Sequence, residues 1–119
     1  KKKSLIIVNI FTDSILAYQH YGKKISLSFI NNIHKVILAG IKPDVTFILK
    51  VSPNSSKKRL KKRKTKNRYD NFSQSFYSKA QKSFLKIAKN KKNYFIFDSS
   101  ENTNELEFKI LEKVCKFLK

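Results

Sequence analysis

The chain has 119 residues, of which 40% are apolar, and this is enough material for one small core but not for two. Its formal net charge of +19 suits a polyanionic partner such as nucleic acid or a phosphorylated metabolite. The one cysteine, Cys115, excludes an intrachain disulfide, and with only two histidines beside it we expect no metal site.

The sequence also bears on location. No apolar run approaches the length of about 18 residues that a membrane-spanning helix requires, so we expect no contact with a membrane. The first apolar run, residues 5–8, is too short for a signal peptide. A single cysteine is typical of a reducing compartment, and we expect a cytoplasmic protein.

The first predicted elements are a buried strand and a helix. Residues 4–11 form a nearly unbroken apolar run rich in β-branched side chains, which is typical of a strand covered on both faces in a parallel sheet. Thr12 or Asp13 can cap the helix that follows, and Gly22 would end it.

Helices and short strands alternate through the rest of the chain. Pro53 predicts the start of a basic helix, because proline suits the first helical turn. Phe72, Phe76 and Phe84 recur at helical spacing, which predicts packing in a core. Three strands alternating with helices indicate an α/β fold with a parallel sheet. The predicted elements are a helix at residues 26–39, a strand at 45–51, the basic helix from 53, a helix at 72–87, a strand at 94–97 and a last helix through 106–117.

The arginines are unevenly placed. The chain has 27 Lys and Arg residues, but its three arginines, Arg59, Arg63 and Arg68, lie within one ten-residue window. A guanidinium group binds phosphate oxygens in pairs, so this window is a candidate phosphate-binding segment. Nine of the twelve residues 57–68 are basic, and their mutual repulsion predicts a mobile segment that could close over an anion as a lid.

Residues 11–22 carry a specific motif. They read Phe-Thr-Asp-Ser-Ile-Leu-Ala-Tyr-Gln-His-Tyr-Gly and resemble the thymidylate kinase signature, in which Asp-Arg and an aromatic residue are followed by Ser and by Ala-Tyr-Gln. Further segments resemble that family in the same order: residues 41–46 its turn into the fourth strand, 59–68 its lid, and 76–85 the helix after the lid. The resemblance covers essentially the whole chain.

The resemblance implies a fold. Residues 1–119 resemble the C-terminal part of a thymidylate kinase domain, with a lid at residues 57–71, referred to below as the lid segment. The fold implied is a partial P-loop-kinase-type parallel sheet of three strands, with flanking helices and a basic lid.

The resemblance also implies two groups of site residues. Ser14 and Tyr18 are four residues apart on one helical face, where a hydroxyl and a ring could meet a base and a deoxyribose. The pattern alone has other interpretations: a capped surface helix with a half-buried tyrosine, Phe11 as the end of a core strand, and the basic run as a solvated face or a general polyanion patch. The implied substrate-binding residues are Phe11, Ser14, Tyr18 and Gln19, and the implied catalytic residues are Arg59, Arg63 and Arg68.

Two features depart from the family pattern. The sequence has no Gly-x-x-x-x-Gly-Lys-Ser/Thr loop, which holds the ATP phosphates and magnesium in that family. Asn9 and Ile10 stand where the family has Asp-Arg, and isoleucine cannot clamp a phosphate. The family's first strand would lie between the strands at 4–11 and 45–51. We therefore expect a fragment, a truncated gene product or one part of a split protein, inactive by itself.

The ligands and partners implied by the resemblance are dTMP and ATP with Mg²⁺, although the chain contains no binding motif for ATP or the metal. Thymidylate kinases are usually dimers, and Ile30, Ile33 and Ile37 offer a stripe for a homodimer. The alternative is a basic nucleic-acid-binding protein without catalysis, since removing the nine basic residues of 57–68 still leaves +10.

Overall fold

The computed structural model describes residues 4–9, 11–65, 71–100 and 103–119. Helices dominate these residues, and a small sheet lies among them. The elements in chain order are α1 (Thr12–Ile15), a π-helix (Leu16–Gly22), α2 (Leu27–Leu38), β1 (Thr46–Lys50), α3 (Pro53–Lys62), α4 (Gln74–Ala88), β2 (Tyr94–Asp98) and α5 (Thr103–Leu118).

The sheet consists of β1 and β2, which run parallel with Thr46 opposite Tyr94. This confirms the predicted α/β class and the parallel pairing. The sheet has two strands rather than three, because residues 4–8 pair with no strand in the described parts of the chain and are exposed. A strand exists only through its hydrogen-bonded neighbour, and the apolar pattern of residues 4–8 does not supply one.

Serine caps explain where three of the helices begin. The hydroxyl oxygens of Ser26, Ser52 and Ser73 each accept a hydrogen bond from the backbone N–H three residues later, at 3.5, 3.2 and 3.3 Å. Pro53 occupies the first turn of α3, as predicted. The predicted cap at Thr12 or Asp13 is wrong, because Phe11 is the N-cap of α1 and makes no side-chain cap bond.

The main packing joint of the fold connects α4 to the π-helix. The Tyr18 ring stacks on Phe76 with 6.0 Å between centroids and meets Phe84 edge-on at the same distance. Ala17, which precedes Tyr18, is fully buried. The predicted phenylalanine face of α4 therefore packs against the segment that carries the signature motif.

Gly22 permits a close approach at the end of the π-helix. A Cβ atom at this position would lie 2.6 Å from Phe76 Cε2 and 3.0 Å from its Cζ. Phe76 is also held by Phe72, with 4.4 Å between ring centroids. The glycine is therefore required by space rather than by backbone conformation.

Most large apolar side chains of the described residues stay partly exposed. The buried apolar residues are Ala17, Ile30, Ile48, Ala80 and Ala88, whereas Ile7 and Val36 are 85% and 81% exposed. Within the described parts of the chain, no helix combines the length and the apolar character needed to cross a membrane.

We expect Gly22→Ala to lower the free energy of unfolding by about 1–3 kcal/mol, because the added methyl group forces the Phe76 ring out of its place. Chemical denaturation measures the change. A Phe76→Leu variant provides the matched background, because the smaller side chain relieves the clash. In that variant, Gly22→Ala should lower the free energy of unfolding by less than about 1 kcal/mol. An equal cost in both backgrounds would contradict this explanation.

Candidate functional site

The signature motif forms one continuous helical segment that changes its winding. Residues Thr12–Ile15 are α-helical and residues Leu16–Gly22 are π-helical. The Lys23 N–H donates to the carbonyl of Tyr18, five residues back, at 3.1 Å. Short π-helical stretches are rare and occur frequently at functional sites. The structure thus places Ser14 just before the change in winding and Tyr18 and Gln19 after it.

A hydrogen bond ties the start of this segment to the sheet. The Tyr94 hydroxyl donates to the Asp13 carboxylate at 2.6 Å across 81 positions of sequence. Partial burial raises the pKa of Tyr94 to about 12, and the hydrogen bond to Asp13 and the carboxylate charge add to the shift. The neutral hydroxyl is therefore held as a donor, and α1 is fixed relative to β2.

Tyr18 is held from the side of α4. Its ring contacts Phe76 and Phe84, so the aromatic surface is used in packing. Ser14 and Gln19, which lie on the same segment, are both half-buried. The structure thus brings Ser14, Tyr18 and Gln19 together on a segment whose orientation is set by α4.

Phe11 has a separate environment. It borders a cavity of about 230 Å³ between α1 and α2, whose walls are mainly apolar. His34 also borders this cavity, and its Nε2 atom is buried without a hydrogen bond among the described residues. The lining residues are Phe11, Thr12, Ile15, Ile30, Ile33, His34, Ile37 and Leu38. Phe11 therefore faces α2, whereas Tyr18 faces α4.

The arginines lie at the other end of the sheet or outside the described residues. The Arg59 guanidinium donates a hydrogen bond to the carbonyl of Ser99, the residue after β2. Arg63 is exposed at the C-terminal end of α3, and Arg68 lies outside the described residues. The first part of the predicted lid segment belongs to α3, which is helical through Lys62.

Polar groups collect at the carboxyl ends of the two strands. The Ser100 N–H donates to Asp98 at 2.9 Å, and the Ser52 N–H donates to Ser100 Oγ at the same distance. Hydrogen bonds from Ser100, with the nearby Lys50 ammonium, lower the pKa of Asp98. Ligands of open parallel sheets bind at this edge, so Arg59 is held at an edge suited to a ligand.

Two features of this region were missed in the sequence. The hydrogen bond between Tyr94 and Asp13 joins residues far apart in the chain, so no spacing of nearby residues predicts it. His34 borders a cavity whose existence depends on how α1 and α2 meet. Nothing in the local sequence distinguishes Asp13, Tyr94 or His34 from the residues beside them.

Comparison with known proteins gives a consistent result. The family model described as thymidylate kinase matches residues 1–110. A thymidylate kinase of Prochlorococcus marinus (strain AS9601) is 36% identical over 107 residues, which cover 90% of this chain and 50% of that protein. A thymidylate kinase of Wolbachia pipientis subsp. Culex pipiens (strain wPip) is 34% identical over 119 residues, covering 98% and 56%. The chain spans about half the length of the curated relatives it matches.

We expect Tyr94→Phe to lower the free energy of unfolding near neutral pH by about 1 kcal/mol, because Asp13 loses its donor. Since the folded pKa of Tyr94 is raised to about 12, its contribution is complete below the ordinary value of about 10 and is lost as the pH rises through 12. The difference between the ultraviolet pH titrations of the wild type and of Tyr94→Phe gives the pH at which Tyr94 is half ionised. A midpoint near 10 would contradict the hydrogen bond.

Proposed function

The chain belongs to the thymidylate kinase family, and from this premise we propose that it supplies the dTMP-binding helix and the arginine-bearing lid of a dTMP kinase. In the reaction, an oxygen of the dTMP phosphate forms a bond to the γ-phosphorus of ATP. The bond from that phosphorus to the β–γ bridging oxygen breaks, and dTDP and ADP result. We place this activity in the cytoplasm.

The observation that carries the proposal is the double anchoring of the signature segment. Asp13 is fixed by Tyr94 of β2, and Tyr18 is fixed by Phe76 and Phe84 of α4. A substrate-binding group contributes most when its position is set before the ligand arrives. Ser14 and Gln19 lie between and beside these anchors, where their polar groups would contact the deoxyribose and phosphate of dTMP.

Tyr18 and Phe11 take different parts in this proposal. Tyr18 would contact the sugar while its ring stays packed on α4. Phe11 would line the base end of the site, next to the cavity that His34 also borders. A mainly apolar cavity suits the methyl-bearing edge of a methylated pyrimidine.

The lid arginines would stabilise charge on the transferring group. A guanidinium fork can meet two equatorial oxygens of the phosphoryl group, and its effect grows when water is excluded. Arg59 donates to Ser99 in the present structure, and we propose that it exchanges this carbonyl for phosphate oxygens. Arg63 and Arg68 would follow as the lid segment closes.

The phosphates of ATP and the magnesium ion need residues from elsewhere in the complete protein. The sequence lacks the phosphate-binding loop. Across the described ranges, no three His, Cys, Asp and Glu side chains gather closely enough to hold a metal ion. We therefore derive no step through magnesium from these residues.

The missing half of the fold would also complete the sheet. In β1, the backbone groups of Thr46 and Lys50 bond to the β2 side, so those of Phe47 and Leu49 face away from it. An added strand at this edge could join β1 to residues 4–8 and give the third strand that the sequence predicts.

A homodimer through α2 belongs to the same proposal. Phe29, Val36 and Ile37 are 58%, 81% and 71% exposed on this helix, whereas Ile30 is 4% exposed and packs inward. Sedimentation analysis of the complete protein tests it. A protein that stays monomeric at all measurable concentrations would contradict the proposed homodimer.

The site is tested by isothermal calorimetry with dTMP, using UMP as the control nucleotide. We expect saturable binding that prefers dTMP and weakens about threefold to tenfold in Ser14→Ala, the equivalent of one hydrogen bond. Ser78→Ala removes a hydroxyl from the exposed face of α4 and should leave the affinity unchanged. Equal binding of UMP and dTMP, or equal effects of the two substitutions on the affinity for dTMP, would contradict the proposed dTMP site.

Catalysis is tested in a fusion with the half of a thymidylate kinase that carries the phosphate-binding loop. We expect no ATP turnover by the present chain alone and slow turnover by the fusion, since Asn9 and Ile10 replace Asp-Arg. Ile10 lies outside the described residues. Restoring both residues with Asn9→Asp and Ile10→Arg should raise kcat by at least about tenfold. An unchanged kcat would show that the arginine is not what limits the reaction.

A further inference from the structure

The outer face of α4 carries a stripe of lysines. Lys79, Lys82 and Lys86 follow at spacings of three and four, so they lie on one side of the helix, and all three are exposed. The other exposed residues of α4 are Gln74, Ser75 and Ser78. This surface, called the α4 stripe below, is therefore built from lysine, serine and glutamine, without acidic or apolar side chains.

The lysines of the α4 stripe have no carboxylate partner along their own helix. Residues 71–97 contain six lysines and neither Asp nor Glu. On α5, by contrast, Lys109 pairs with Glu105, and Lys116 pairs with Glu112 at 2.7 Å. Both helices belong to the same lysine-rich chain, so overall composition does not explain the difference.

The stripe also keeps like charges close together. Lys82 and Lys86 are one turn apart, and Lys79 is three residues before Lys82, so the three like charges repel one another. The Lys86 ammonium also lies over the Tyr21 ring of the π-helix, 5.3 Å from its centroid. The opposite face of α4 packs on Tyr18 through Phe76 and Phe84, which fixes the direction of the stripe. A bound polyanion would relieve the repulsion without any rearrangement of the helix.

We propose that the α4 stripe binds the phosphate backbone of duplex nucleic acid without reading its sequence. From Ser75 to Lys86 the stripe is about 17 Å long, a length over which a duplex presents about ten phosphates. Lysine, serine and glutamine side chains are all donors that proteins use for phosphate contacts. This activity is separate from the nucleotide site, because α4 presents its other face to Tyr18.

The residue composition of the α4 stripe favours a nucleic-acid duplex over an anionic membrane or a single strand. Helices that lie on anionic membranes carry exposed Phe, Leu or Trp beside their lysines, and the exposed α4 residues include none. Surfaces for single strands add aromatic side chains on which bases stack, and these are also missing from the exposed α4 residues. A straight row of donors is suited to the regular backbone of a duplex.

The test is fluorescence anisotropy of a short mixed-sequence DNA duplex, titrated with the full chain at several salt concentrations. The test variant combines Lys79→Gln, Lys82→Gln and Lys86→Gln. The matched control combines Lys109→Gln, Lys113→Gln and Lys116→Gln on α5, which removes the same charge. A second comparison neutralises Lys57, Lys58 and Lys61 of α3, and a Lys→Arg version of the α4 variant keeps the charge. Circular dichroism checks that each variant is folded.

We expect the α4 variant to bind at least about tenfold more weakly at ~0.1 M salt, with a salt slope smaller by about 2–3. The α5 control should change the slope by less than about 1, and the arginine version should bind like the wild type. The α3 variant should lose less affinity than the α4 variant.

Four results would overturn the proposal. Equal losses in the α4 and α5 variants would mean that only net charge matters. A larger loss in the α3 variant would move the site to the basic run. Tighter binding of a single strand of the same sequence would reject the duplex. Binding to vesicles containing phosphatidylserine, without binding to the duplex, would assign the stripe to a membrane.

Discussion

The contact of Tyr18 with Phe76 and Phe84 holds the signature segment on α4, and the placement of the motif residues depends on it. The described residues bury few large side chains completely, so aromatic rings that pack at half exposure supply much of the cohesion. Gly22 lets the π-helix approach Phe76 closely enough for this contact to form. The joint therefore sets where the remaining residues of the motif are placed.

The residues of the candidate site are held in place by different neighbours. Tyr18 is held by ring packing on α4, whereas Ser14 depends on its neighbours for orientation. Asp13 gives a second attachment, to the sheet, through a neutral tyrosine hydroxyl. Phe11 lies towards α2, beside His34, and is independent of α4. Rigid support from two elements is what a site of substrate-binding side chains requires.

Charge is organised by element rather than spread evenly over the surface. On α5, lysines and glutamates pair one turn apart. On α3, Arg59 is drawn to the carbonyl of Ser99 at the carboxyl edge of the sheet. On α4, the lysines lie together on a helix whose sequence contains no Asp or Glu. A net charge of +19 thus contains at least three separate arrangements.

Local signals in the sequence determined most of the helices, the proline start of α3, the strands β1 and β2, the core face of α4 and the family, because each depends on residues close together in the chain. The signature motif likewise named Ser14, Tyr18 and Gln19. Only the tertiary structure decided that residues 4–8 pair with no strand among the described residues, that Tyr94 holds Asp13, that His34 borders a cavity and that Arg59 meets Ser99. These depend on which distant segments meet, and hydrogen bonds between distant segments follow from packing rather than from spacing along the chain.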